Sequence, residues 1–198
     1  EPPMTTTALS TRDALLKAAR ELLEQGGRTA VTLRAIGGAT GVSQTTPYRH
    51  FENKQDLLQH VATAFLGDME KAMRAGADSH ENTDSALAGA CLGYVKAAFA
   101  HPHHYQLLFG DEPINDPSPA LEAAADSCVS YLASLVAGIR GGTSATLEDL
   151  RSSTALIWSS LHGVVVLTLT GHLREPRMID GEKDARTLVE SLVSHFKR

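Results

Sequence analysis

Residues 32–54 read TLRAIGGATGVSQTTPYRHFENK, and the organisation of the N-terminal part turns on them. Thr32 is placed to cap a short helix that carries Leu33 and Ile36 inward and ends near Thr40-Gly41. A side-chain oxygen at a cap takes up an N–H that the helix leaves free. Ser43 is placed to cap a second short helix from Gln44 to His50, and Val42 precedes it where an apolar residue fixes the entry angle of the chain. Two short helices about a tight turn at Gly41 predict a helix-turn-helix. Such a unit lays its second helix in the DNA major groove, which admits one helix and presents chemically distinct base edges. Gln44, Thr45 and Thr46 would then offer hydrogen-bonding side chains to base edges and methyl groups. Ser43 stands at the helix N-terminus, where N–H groups and positive partial charge point at phosphate. Tyr48, His50 and Lys54 suit phosphates at the groove's rim, contacts that position rather than specify. Pro47 removes one N–H, a small cost so early in a helix. The same pattern also fits three packed helical turns of a bundle with no nucleic-acid partner.

Working outward, Leu15, Ala19 and Leu22-Leu23 recur at steps of three and four, which predicts a helix from about Thr11 to Gln25 that Gly26-Gly27 stops. Downstream, Leu57, Leu58, Val61, Phe65 and Met69 keep that spacing and predict a helix from Lys54 into the Met69–Met73 region. Residues 76–82 read as a linker. Further helices are expected over 84–100, 105–109, 119–139, 146–173 and 182–197, punctuated by Pro102, residues 113–119, Gly141-Gly142 and Pro176. No alternating strand pattern of useful length and no internal repeat is visible. The expectation is an all-α chain, with a three-helix helix-turn-helix DNA-binding domain over 8–55 and a helical ligand-binding and dimerisation bundle over 56–198.

Composition agrees. An apolar share of 42% with 21% charged residues is ordinary for a globular chain, and aromatics at 5% beside recurrent Ala and Leu favour helices. A net charge of −5 argues against indiscriminate coating of nucleic acid. Residues 1–60 carry seven Lys/Arg against six Asp/Glu, so +1, which leaves −6 for the remainder and makes the N-terminal part the one suited to a polyanion. Cys91 and Cys128 show no CxxC or zinc spacing and no secretory leader is read before them, so buried reduced thiols in a cytoplasmic protein are expected. Residues 152–173 lack Asp, Glu, Lys and Arg over a length that could span a bilayer. Ser152, Ser159, His162, Thr168 and His172 put too much polar surface there for lipid, and no second such segment is expected. The chain is read as having no membrane partner.

Three runs taken in order, AARELLEQGG (18–27), TLRAIGGATGVS (32–43) and YRHFENKQDLL (48–58), resemble the DNA-binding domain of the TetR family of bacterial regulators. The resemblance spans about Arg12 to Phe65. It implies phosphate contacts at Tyr48, His50 and Lys54, base contacts at Gln44, Thr45 and Thr46, and further backbone contacts at Thr32 and Arg34. Gly38 stands where that family usually has alanine. WSSLHG (158–163) is similar to the Trp…His-Gly element of one TetR C-terminal subtype, and HHYQLLF (103–109) to that subtype's short helix. By this resemblance the chain is a sequence-specific DNA-binding regulator, a homodimeric repressor released from a palindromic double-stranded DNA operator by a small-molecule effector.

Trp158 and His162 are one helical turn apart and share a face, as a pocket wall or as an aromatic beside a core histidine. Tyr94, Phe109, Trp158 and His162 are expected to enclose a mostly apolar cavity, with the helix from Lys54 as the lever to the DNA-binding domain. Leu188, Leu192 and Phe196 on the last helix, with Leu161, Val165 and Leu169 before it, are expected to build a two-fold four-helix dimer interface. His101, His103 and His104 could ligate a metal, but Pro102 interrupts them and no acidic residue follows until Asp111-Glu112, so capping and surface roles are expected and no metal or cofactor. The rival classes are an enzyme, for which no nucleophile elbow, glycine-rich phosphate loop or metal triad is present, and a helical adaptor without DNA binding.

Overall fold

A computed structural model describes residues 10–79, 83–112, 114–140, 146–173 and 181–196. Among them lie nine α-helices and no strand: α1 (Thr11–Ala30), α2 (Leu33–Thr40), α3 (Pro47–His50), α4 (Lys54–Asp78), α5 (Thr83–Ala100), α6 (Pro102–Phe109), α7 (Pro119–Arg140), α8 (Leu147–Leu169) and α9 (Gly181–Phe196). The all-α expectation holds. The chain forms two compact units, one of residues up to Ala62 with His103–Ser118, the other of Thr63–Pro102 with Pro119 onward.

In the first unit Ser10 caps α1 by accepting from the Asp13 N–H at 3.2 Å. The spaced residues Leu15, Ala19 and Leu23 are buried, and the helical backbone breaks at Gly26 and at Gly27, whose φ of +65° is costly for any residue with a Cβ. A last turn then resumes to Ala30. Leu33, Ile36, Phe51, Leu57, Leu58 and Val61 close the core. Helix α6 adds His104, Tyr105 and Leu107 to the buried set. Its histidines do not take the expected surface role. His103 Nδ1 donates to the Glu24 carbonyl at 2.8 Å, and the buried His104 ring lies 2.8 Å from the Glu24 carboxylate. Arg28 donates to the Glu112 carbonyl, and Gln55 to that of Asn115 at 3.2 Å. A segment remote in sequence is thereby stapled into this unit.

The second unit is built around α5, which is predominantly apolar, with Lys96 exposed, and packs against α7, α8 and α9. Its approach to α4 depends on missing side chains. A Cβ on Gly89 would stand 2.1 Å from the Gly76 carbonyl oxygen, and one on Gly93 2.2 Å from that of Ala72. This contact explains why residues 76–78 continue α4 instead of opening the expected linker: the glycine is placed for packing, and the flanking alanines favour helix. Arg74 of α4 bonds Glu70 at 2.8 Å and stacks its guanidinium 4.0 Å from the Tyr131 ring centroid on α7. Hydrogen bonds from Ser127 and Arg74 hold the Glu70 carboxyl below its usual range. Cys91 and Cys128 are buried and free, and desolvation pushes their thiols up to about 12 and about 11, so both stay protonated near neutral pH. Helix α8 opens on a reciprocal cap between Thr146 and Asp149. Beside α8, residues Pro119–Ile139 are also long and apolar enough to cross a membrane, where one such helix was expected. Leu121, Cys128, Leu132 and Val136 give α7 one buried stripe in the unit's core.

Candidate nucleic-acid interface

Thr32 Oγ1 accepts from the Ala35 N–H at 3.0 Å, and Gly41 ends α2 at φ +69° with its N–H on the Gly38 carbonyl. Both expectations for this helix hold. Gly37 then lets α3 come close, since an added Cβ would meet Pro47 Cγ at 3.2 Å. The next segment differs from the expected helix over 44–46. Regular helix begins only at Pro47, and residues 44–46 form a turn with the Thr46 N–H on the Ser43 carbonyl at 3.0 Å. Proline suits the first helical position, where its absent N–H is not needed, so it sets the start. Ser43 consequently pairs its hydroxyl with Thr45 Oγ1 at 3.1 Å and Thr46 Oγ1 at 2.8 Å, and not with a helix-start N–H.

Of the nine residues expected at DNA, Ser43, Gln44, Thr45 and Thr46 form this turn, Tyr48 and His50 lie on α3, Lys54 opens α4, and Thr32 and Arg34 stand at the start of α2. Thr32, Arg34, Ser43, Gln44 and Thr45 are exposed, Thr46, His50 and Lys54 are half-buried, and Tyr48 is 60% exposed. Pro47 and Phe51 between them are buried. Phe51 is held by the Arg12 guanidinium 5.5 Å from its centroid and by the edge of His60, also at 5.5 Å. An exposed tyrosine beside a core phenylalanine shows that α3 turns its polar side outward while Pro47 and Phe51 pack inward. Arg49, not singled out from sequence, is exposed on the same helix; its charge between Tyr48 and His50 was the available signal. The arrangement can present amide and hydroxyl groups to base edges and tyrosine, imidazole and cations to phosphate.

Of the residues expected around an effector, Tyr94 and Trp158 meet in the second unit, ring centroids 5.6 Å apart and tilted by 58°. His162 is half-buried there, and desolvation lowers its pKa, which favours the neutral ring. Phe109 belongs to the first unit, where its ring lies 4.9 Å from that of Tyr105. A cleft of about 580 Å³ between α4 and α5 has none of these four in its lining, which includes Phe65, Ala72, Gly76, Leu92, Lys96 and His101. Small residues make its walls, so no aromatic or catalytic pattern marked it in the sequence.

The residues expected at a dimer interface divide. Leu161 and Val165 are fully buried in the core of their own unit and cannot form the outer face assigned to them. Leu169, Leu188 and Leu192 are half-buried, and the side chain of Phe196 lies outside the described residues. The large apolar side chains α8 leaves exposed are Leu147 in its first turn, at 64%, and Leu156 and Leu167 further along, at 58% and 42%; between the last two an added Cβ on Gly163 would meet nothing within 4 Å.

Residues 15–61 match a family model described as "Bacterial regulatory proteins, tetR family", and residues 87–196 one described as "Tetracyclin repressor-like, C-terminal domain". An uncharacterized HTH-type transcriptional regulator of Mycobacterium tuberculosis, Rv0681, is 27% identical over 81% of this chain and 71% of its own. The HTH-type transcriptional repressor BepR of Brucella suis is 24% identical over 93% of each chain. A protein of unknown function from Rhodococcus sp. RHA1 shares the fold, with a TM-score of 0.82, 21% identity and coverage of 99% of this chain and 98% of that one.

Proposed function

The chain belongs to the TetR family of bacterial regulators and is a DNA-binding transcriptional regulator; from that premise we propose that it acts as a homodimeric repressor which leaves a palindromic operator when a small molecule occupies its second unit. The observation carrying this reading is the turn into α3, where Gln44, Thr45 and Tyr48 are exposed around the buried Pro47 and Phe51. Gln44 and Thr45 read base edges, with Thr46 at their side. Tyr48, His50, Lys54, Thr32, Arg34 and Ser43 hold the phosphates. Two copies related by a two-fold axis meet half-sites about 34 Å apart. The partner covers Leu156, Gly163 and Leu167 on α8 together with Leu188 and Leu192 on α9, a four-helix contact that repeats each protomer's surface on the other. The site of action is the cytoplasm, where the operator lies.

The effector rests against Tyr94, Trp158 and His162. A neutral imidazole donates at one nitrogen and accepts at the other, which fixes a polar group of a mostly apolar ligand. The ligand acts on DNA by preferring a conformation in which the two recognition helices no longer match the half-site spacing.

Operator DNA selected from a random pool and measured by fluorescence anisotropy tests these roles. Lys54→Ala weakens binding to all sequences alike and flattens the salt dependence. Gln44→Ala changes which sequence is preferred, by about 1–3 kcal/mol of discrimination. The reverse pattern overturns the assignment. Trp158→Ala blunts release by an effector found in a compound screen and leaves unliganded binding in place; loss of binding without effector makes Trp158 a packing residue only.

A further inference from the structure

We propose that the chain carries a binding site for an aliphatic carboxylate on the outer side of α5, with Lys96 as counter-ion. It is separate from the Tyr94–Trp158 pair and stands independently of the effector reading.

Two clefts meet there. The first, about 580 Å³, runs between α4 and α5. The second, about 270 Å³, lies between α5 and α9 and is lined by Leu92, Val95, Lys96, Phe99, Ala185 and Arg186. Leu92 and Lys96 line both, so they form the shared wall. The larger volume falls in the range of small-molecule sites. Its lining on α4 extends from Phe65 to Ser79, about 20 Å by helical rise, so the space is elongated. Gly76, Gly89 and Gly93 keep the walls low and bring the helices together beneath. A narrow apolar trough of this length suits a saturated chain.

Charge selects the headgroup. The cleft's carboxylate, Asp68, lies 3.2 Å from Lys71. Arg186 spends its Nε on Glu190 at 2.9 Å. Lys96 is exposed between the two clefts and makes no hydrogen bond or ion pair among the described residues. An ammonium is a compact single charge, so its match is a monoanion, and an apolar trough leading to it makes that monoanion a carboxylate on an alkyl chain. None of Tyr94, Trp158 and His162 lines either cleft.

Calorimetric titration of the full chain with decanoate, and with 1-decanol as the uncharged molecule of equal chain length, tests the site. Decanoate binds saturably and about tenfold more tightly than 1-decanol, the worth of one hydrogen bond to a charged group. Passing from octanoate to decanoate to laurate raises affinity about two- to fourfold per methylene. Lys96→Met brings decanoate down to the level of 1-decanol and leaves 1-decanol unchanged. Ala75→Leu, at an exposed position in the lining, weakens both, and Trp158→Ala weakens neither. Thermal melts by circular dichroism confirm that each variant is folded. The site is overturned by absence of saturable binding, by equal affinity for decanoate and 1-decanol, or by a Lys96→Met protein that keeps their ratio. Loss of decanoate in Trp158→Ala alone moves the ligand to the Tyr94–Trp158 pair and also overturns it.

Discussion

The two units answer differently to the same kind of reading. In the first, conformation is dictated by residues whose chemistry allows few alternatives: Thr32 as a cap, Gly41 at positive φ, and Pro47 at the start of α3. Its longer helix α1 also has a polar side, so the buried stripe of Leu15, Ala19 and Leu23 is unambiguous. The second unit centres on α5, whose faces are apolar apart from the exposed Lys96 and the polar residues of its first turn, and on α8, which lacks Asp, Glu, Lys and Arg from Ser152 onward. Periodicity orients a helix only by contrast between its faces. Where contrast is missing, the neighbours decide which stripe is core.

The largest test of that difference lies on α8. Leu161→Ala removes a fully buried side chain and costs about 2–5 kcal/mol, read as a fall in the urea midpoint. Leu156→Arg, one face away and 58% exposed, leaves protomer stability nearly unchanged and yields monomers by light scattering. An intact dimer with Leu156→Arg rejects the proposed face.

Glycine-to-alanine exchange gives the next contrast, with opposite sign in the two units. Gly89→Ala forces a Cβ to within 2.1 Å of the Gly76 carbonyl oxygen, so backbone must move, at about 1–3 kcal/mol. Gly38→Ala, exposed on α2 with nothing within 4 Å of the new methyl, adds about 0.4–1 kcal/mol and keeps operator affinity. Equal shifts from the two substitutions contradict the close crossing of α4 and α5.

The smallest effect concerns pH. Burial holds the His162 ring below its ordinary value of 6.5, so the unfolded chain takes up a proton more readily than the folded one. The associated stability is complete above that ordinary value and declines as pH falls through it toward the folded pKa. His162→Gln flattens this acid limb in urea titrations run from neutral to mildly acid buffer. An unchanged limb assigns the loss to other groups.

Some placements were legible for one part of a residue's role and not another. Ser43 is a polar residue where a cap is expected for a helix from Gln44, but its hydroxyl pairs with Thr45 and Thr46 because Pro47 delays the helix. The histidines of α6 were visible as a cluster. Their partner, Glu24, lies some eighty residues away, and no local rule connects the two.

The sequence by itself determined an all-α chain and a helix-turn-helix with the Thr32 cap and the Gly41 turn, because each of these rests on contacts within a few residues. Tertiary structure decided the rest. It put α6 and the segment after it into the first unit, turned Leu161 and Val165 inward and Leu156 and Leu167 outward, and opened the clefts along α5. Those outcomes depend on which surfaces meet, and in helices whose faces differ little in polarity only the packing of distant residues settles that.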